Sequence, residues 1–392
     1  VKIALVILHA DASRGGAERY TLDLADALVE RGHDVSIVAS SFQARPVAGR
    51  SLKIDAWGLT RTRRYMRFLD ELHLVLADNR FDVVHAMLPV RPGQCDIYHP
   101  HAGIASAAVL EGHFNKSGEI KRWLSRLGNR FNSRRNRFAA IERDLLTQVN
   151  APIVLCLSNL IKAVVQRHYP TLAADRLVPL FNGVDLKRFD PRKDTQARQR
   201  IRNRFNVPHN TRMALMLAQD FERKGLAEAI QAFSRIGNPK LYLLVGGRPD
   251  TSTYRRLAES LGIAHRIIFA GGVENPVEFY QAADFFILPT RFDPCSLVVL
   301  EALAMGLPVI STSRNGACEV MADGVHGRVL TDPHDISALA NAIREMDNPV
   351  SLERFGSACM ALRSTLSQQK HVSSVEKFYL QLCEAKQPRL VV

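Results

Sequence analysis

The chain has 392 residues, 46% of them hydrophobic, which is enough for two domains of ordinary size and excludes a disordered polymer. Net charge is +13, but the basicity is local: residues 1–176 hold 25 Lys/Arg against 17 Asp/Glu, and Lys116–Arg143 alone holds nine against two, a pattern suited to an anionic partner. Six scattered cysteines without a C-x-x-C pair argue against a zinc ribbon and a disulfide framework, and apolar runs such as Ile3–Leu8 are far too short to span a membrane.

The opening residues Val1–Ile7 form a strand pattern without a charged n-region or a cleavage signature, so a cytoplasmic protein is expected. Lys2–Leu8, Val35–Ser40, Val83–Met87 and Ile153–Cys156 read as strands. A helix opens at Gly16, repeats apolar positions at Ala17, Tyr20, Leu24 and Leu28, and closes at Gly32. After Asn182-Gly183-Val184-Asp185 comes a polar, Arg-rich stretch to about Asn210. A second strand series follows: Met213–Leu217, Leu241–Val245, Ile267–Ala270, Phe285–Leu288 and Val309–Ser311. Strands alternating with helical patterns predict an α/β chain of two Rossmann-like parallel-sheet domains facing each other across a cleft. The expected division is 1–176, 177–368, and a last helix over 369–392 that packs back towards the first domain.

Four motifs carry candidate chemistry. Gly15-Gly16 lies between the first strand and helix, where backbone amides can approach an anion closely, although G-x-G-x-x-G is absent. His99-Pro100-His101 places two imidazoles in one loop; a metal site would need a third ligand, and none is evident nearby. Arg223-Lys224-Gly225 follows the first strand of the second series, at the strand end where open α/β sheets bind ligands, and the two cations can neutralise a diphosphate. Asp293 precedes a helix that starts near Ser296, whose first amides, those of Leu297 and Val298, can hold a phosphate. Glu301 lies inside that helix among apolar residues, where an acid requires a partner.

At Asp293 and Glu301 the sequence resembles the retaining glycosyltransferases of family 4, whose signature is an acid, seven residues and then Glu. The resemblance runs in order along the chain through Gly15-Gly16, Asn182–Asp185, Arg223-Lys224-Gly225, Glu301–Val309 and Asn315-Gly316, and within the family is nearest the lipopolysaccharide core glucosyltransferases. It implies a GT-B fold and transfer of a hexose from a nucleotide diphosphate sugar, a UDP-sugar by expectation, to a glycan or glycolipid of the lipopolysaccharide core or cell envelope. It implies roles as well. Arg223 and Lys224 would hold the diphosphate, assisted by amides of Gly15, Gly16, Leu297 and Val298. Glu301 would bind the ribose and Asp293 the hexose, Gly272-Val273 would lie near the base, and His101 would face the reacting sugar. Asp293 replaces the family's usual Glu, and Gln219 stands where many members carry Arg.

No Asp-x-Asp motif occurs, so no metal or other cofactor is expected, and the two cations and the helix N-terminus would compensate the leaving charge. A GT-B-like sugar-nucleotide epimerase is the alternative enzyme. A nucleic-acid-binding protein is disfavoured because the charge is confined to one segment. Within Lys116–Arg143, Trp123, Leu127, Phe131, Phe138 and Ile141 recur at helical spacing between arginines, and Leu145 continues the series, so a peripheral attachment to an anionic membrane is expected there.

Overall fold

The computed structural model describes residues 1–43, 49–101, 103–110 and 132–386, which form two compact units. Unit 1 comprises residues 1–181 with the segment from Gln369 onward, and unit 2 spans Asn182–Gln368.

Unit 1 is built on a parallel sheet from β1 (Lys2–Val6), with β2 (His9–Ala10) and β4 (Ser41–Phe42) forming a separate short pair. The sheet continues with β3 (Asp34–Ala39), β5 (Arg50–Lys53), β6 (Val83–Ala86), β7 (Ile97–Tyr98), β8 (Ile153–Cys156) and β9 (Leu177–Pro179). Its spatial order is β5-β3-β1-β6-β7-β8-β9, so successive crossovers run one way from β1 and the other way from β6. The helix Gly16–Glu30 buries Tyr20, Leu24 and Leu28 of the predicted stripe, leaves Ala17 partly buried, and ends where Gly32 takes φ 85°. The last helix, Gln368–Lys386, puts Val372, Val375 and Tyr379 into the same core as Ile3, Leu5 and Ile37.

Unit 2 contains β10 (Arg212–Leu217), β11 (Leu241–Gly246), β12 (Ile267–Gly271), β13 (Phe285–Leu288), β14 (Val309–Thr312) and β15 (Gly327–Leu330). All pair in parallel in the order β12-β11-β10-β13-β14-β15, the doubly wound arrangement with a switch point between β10 and β13. β13 reads Phe-Phe-Ile-Leu and is buried at every position, as a strand covered by helices on both faces requires.

The Arg-rich stretch before β10 is more ordered than its composition suggests, for it contains the helix Ala197–Arg204. Its Arg202 is wholly buried, donating to Asp284 Oδ2 at 2.8 Å, to the Ala282 carbonyl at 3.2 Å and to the Thr211 carbonyl at 3.0 Å. Asp284 also accepts the Met213 amide at 2.7 Å, which ties the helix to the start of β10. Among the described residues no helix is long and apolar enough to cross a membrane. Of Lys116–Arg143, residues up to 131 lie outside the described set. Beyond them, Phe138 stacks on Tyr65 at 4.0 Å, and Ile141 and Leu145 are buried, so this part of the apolar series faces the core of unit 1.

Removing one partner of a buried ion pair strands the other, at about 3–5 kcal/mol. Arg202→Ala is therefore expected to destabilise the protein by about 3 kcal/mol in urea denaturation, softened from the upper figure because Arg198 also reaches Asp284 at 2.8 Å. A change below about 1 kcal/mol would show that the Arg198 contact suffices.

Candidate functional site

In unit 2 the loops that follow β10 and β13 flank the switch point, and they are joined through backbone and side chains alike. Gly225 sits at φ 79°, and a Cβ there would lie 2.2 Å from the Pro289 carbonyl, so only glycine permits this approach. The Arg223 carbonyl accepts the Arg291 amide at 2.9 Å and the Thr290 hydroxyl at 3.1 Å. Lys224 is thereby turned inward, where its ammonium meets the Asp293 carboxylate and lies 3.3 Å from Ser296 Oγ. Burial, and then the Arg223 charge, push Lys224 well below the usual ammonium range, with Asp220 pulling the other way. Its ion-pair partner is the Asp293 carboxylate.

Asp293 is a hub. Besides Lys224 it accepts the Ser296 hydroxyl and the Cys295 amide, the latter at 3.2 Å. Its backbone pairs with the loop after β14, through Arg314 O and the Gly316 amide, both at 2.9 Å. There Asn315, wholly buried, accepts the amides of Ser296 at 3.2 Å and Ala317 at 3.1 Å. Ser296 opens the helix Leu297–Ala304, so Leu297 and Val298 are among the leading residues whose amides have no acceptor one turn back in the helix. Arg223 stays half-exposed, steered by Asp220 Oδ2 at 3.2 Å and the Phe292 carbonyl at 3.1 Å.

Glu301 lies one turn further along that helix and accepts the hydroxyl of buried Tyr280 at 2.7 Å. Gly272 and Val273 follow β12, and Val273 packs against Gly246 so tightly that a Cβ on that glycine would come within 2.6 Å of it. At Gly247 a Cβ would lie 2.0 Å from the Ala218 carbonyl. The carboxyl end of the unit 2 sheet thus gathers Arg223, Lys224, Gly272, Val273, Asp293, Ser296, Leu297, Val298 and Glu301. Tyr280 and the Gly246-Gly247 pair were not singled out from sequence, although paired glycines closing a strand are a readable signal; Asn315 was named there only within Asn315-Gly316, with no role given to it.

In unit 1, His101 packs on the helix that begins at Gly16, with the Tyr20 ring 4.1 Å from its own. His99 and His101 belong to a larger buried group. His85 contacts Tyr379 Oη at 2.7 Å and His99 Nδ1 at 3.2 Å, while His371 contacts Tyr20 Oη at 2.8 Å and the Phe181 carbonyl at 2.7 Å. On the other side of the loop, Glu142 is wholly buried and accepts Tyr98 Oη at 2.7 Å and the Ala105 and Ser106 amides at 2.9 Å, fixing the helix Ala105–Leu110 that follows. Among the described residues, no three His, Cys, Asp or Glu are arranged to hold a metal ion.

Known protein families match the chain along most of its length. The pattern described as "Glycosyltransferase Family 4" matches residues 14–188, and "Glycosyl transferases group 1" matches 197–358. The chain belongs to the family 4 glycosyltransferases. Lipopolysaccharide glucosyltransferase WaaG of Escherichia coli is 25% identical over 335 residues, covering 84% of this chain and 86% of WaaG. The lipopolysaccharide core biosynthesis glycosyltransferase LpsE of Rhizobium meliloti is 30% identical over 196 residues, 47% of this chain and 53% of LpsE. The crystal structure of a WaaG superposes with TM-score 0.81 at 22% identity over 96% of this chain and 99% of that one, so this glycosyltransferase has the GT-B fold. HepE of Anabaena in complex with UDP-glucose gives 0.71 at 16% identity, covering 98% and 99%. The family does not favour the epimerase alternative.

The buried histidines predict that the glycosyltransferase loses stability in acid. Burial depresses His85 to about 3 and His371 to about 4, and holds His99 and His101 well below the usual imidazole range. A folded pKa below the unfolded value of 6.5 means that stability present above pH 6.5 is lost as the pH falls towards 4 and then 3. At pH 5.5 each such group forfeits about 1 kcal/mol, opposed by Glu18 and Glu142, whose carboxyls burial raises. The melting temperature should fall between pH 7 and 5.5, before ordinary carboxylates titrate; a flat profile would show that these imidazoles are not held neutral.

Proposed function

We propose that the enzyme transfers a hexose, with retention, from a UDP-sugar to a glycan or glycolipid hydroxyl in lipopolysaccharide core or cell-envelope synthesis. The observation that carries this reading is the convergence of Arg223, Lys224 and the Leu297–Ala304 helix N-terminus at the switch point of unit 2. A leaving nucleoside diphosphate gains charge as its bond to the anomeric carbon breaks, and cations fixed beforehand stabilise that charge. The acceptor oxygen bonds to the anomeric carbon on the face the diphosphate leaves, and the acceptor's proton passes to a diphosphate oxygen. Glu301 is assigned to the ribose, Asp293 to the hexose and Gly272-Val273 to the base, with Gly15 and Gly16 as the substrate-binding residues of unit 1 and His101 as its catalytic residue, facing the reacting sugar. The names of WaaG, LpsE and the UDP-glucose complex of HepE support the donor and acceptor classes. Lys224→Ala and Arg223→Ala should each lower turnover by about 100-fold, the scale for one preorganised stabilising group. Near-normal turnover in the folded double variant would remove the assignment.

We assign the enzyme to the surface of an anionic membrane as well. In unit 1 the helix Arg61–Asn79 exposes Arg61, Arg63, Arg64 and Arg67 and has no acid in its first turn, an arrangement its own dipole opposes. Arg137 lines the same depression as Arg63 and Arg67, and Trp57 and Leu59 beside it are 72% and 89% exposed. Basic residues near an anionic leaflet contribute about 1 kcal/mol each. In co-sedimentation with phosphatidylglycerol vesicles, changing these four helix arginines to Gln should weaken binding at least tenfold. Equal binding by both proteins would take the patch out of the attachment.

A further inference from the structure

The imidazoles of unit 1 are joined in a chain with a direction. His85 and His99 are buried, and their depressed pKa values leave each ring with a single proton. Two proton orders are then possible along Tyr379, His85 and His99. In one, Tyr379 donates to His85 Nδ1, His85 Nε2–H donates to His99 Nδ1, and His99 carries its proton on Nε2. In the reverse order, His99 donates to His85 and His85 to Tyr379. The Tyr379 hydroxyl has no second partner among the described residues, so the reverse order strands its hydrogen and the His99 Nε2 lone pair together. The first order leaves one group unmet, His99 Nε2–H, and an unmet buried polar group is costly, so the order with fewer of them prevails. That donor stands beside His101, with ring centroids 4.2 Å apart, and His101 Nε2 is likewise buried without a partner.

We propose that Tyr379 and His85 are positioning residues that fix His99 as an Nε2–H donor, and that this donor, beside His101, binds a hydroxyl of the sugar substrate. The same logic assigns the neighbouring relay: the Phe181 carbonyl can only accept, so His371 carries its proton on Nδ1 and receives the Tyr20 hydroxyl at Nε2. Tyr20 is thereby held against the His101 ring. The choice of a sugar hydroxyl rests on the donor reading above; the proton order does not.

The test is long-range 1H–15N NMR of the full chain labelled at histidine, which reads each tautomer directly. His99 is expected as Nε2–H in the wild type. In Tyr379→Phe, which removes only the hydroxyl, His85 and His99 should move to mixed or Nδ1–H tautomers while the melting curve stays cooperative. Nδ1–H at His99 in the wild type, or an unchanged tautomer in the variant, overturns the relay. Saturation with UDP-glucose, checked by calorimetry, should shift the His99 Nε2–H signal, whereas UDP alone should not. Calorimetric binding without that shift overturns the hydroxyl assignment and leaves the donor reading standing. No binding at all overturns UDP-glucose as the donor, and with it this sugar as the ligand of His99, while the tautomers still decide the relay. Tyr379→Phe should also lower kcat about 5- to 10-fold with the affinity for UDP unchanged, the scale for one misdirected neutral hydrogen bond; equal kcat would count against a positioning role.

Discussion

The contact between Lys224 and Asp293 is the constraint around which the functional end of unit 2 is arranged. Taking either charge out of water alone costs several kcal/mol, so each can be buried only because the other is there. The sheet supplies the proximity, for β10 and β13 are hydrogen-bonded neighbours and their outgoing loops start one strand spacing apart. The surrounding backbone then removes the freedom that would let the pair drift: Gly225 against Pro289, the Arg223 carbonyl on Arg291 and Thr290, and Asp293 between Arg314 and Gly316. Lys224 is thus oriented before any ligand binds, as the proposed stabilisation of a leaving diphosphate requires.

This arrangement also gives Asp293 a physical reason for its length. Its carboxylate receives Lys224 together with the Ser296 hydroxyl and the Cys295 amide, the last two from within three residues of its own backbone. A Glu in the same place would carry its carboxylate a methylene further from the Cys295 amide and from the backbone bridge to Asn315. The substitution that looks like a departure in the family motif is matched here by a local network that a short acid satisfies.

Much of unit 2 was legible in the sequence because buried parallel strands are runs of apolar residues: Met213–Leu217, Leu241–Val245 and Phe285–Leu288 fall on β10, β11 and β13 within one residue. The edge strand β5, Arg-Ser-Leu-Lys, has no such run, since one neighbour and partial exposure ask little of its side chains. The helix Ala197–Arg204 was hidden by its own arginines, as Arg202 is buried through hydrogen bonds that composition does not reveal. At the site, Arg223 with Lys224 and Asp293 with Glu301 were readable because each pair is close along the chain and falls in a recognisable motif, although 69 residues separate Lys224 from Asp293. Tyr280, which holds Glu301, was not. His85, His99, His371 and Tyr379 were unreadable as a group for the same reason: only the sheet and the last helix bring residues so distant in sequence into contact.

The two units solve recognition with opposite electrostatics. Unit 2 presents the Arg223 guanidinium and the buried Lys224–Asp293 pair, a field that suits a diphosphate and is largely indifferent to the angle of approach. Unit 1 presents imidazoles that burial keeps neutral, whose hydrogen bonds depend on which nitrogen holds the proton. A protonated imidazole cluster would attract phosphate to a place meant for a hydroxyl, and its two N–H groups per ring would lose the distinction between donor and acceptor. Burial is therefore part of the selectivity. It suppresses the charge and leaves the relay from Tyr379 to set the direction.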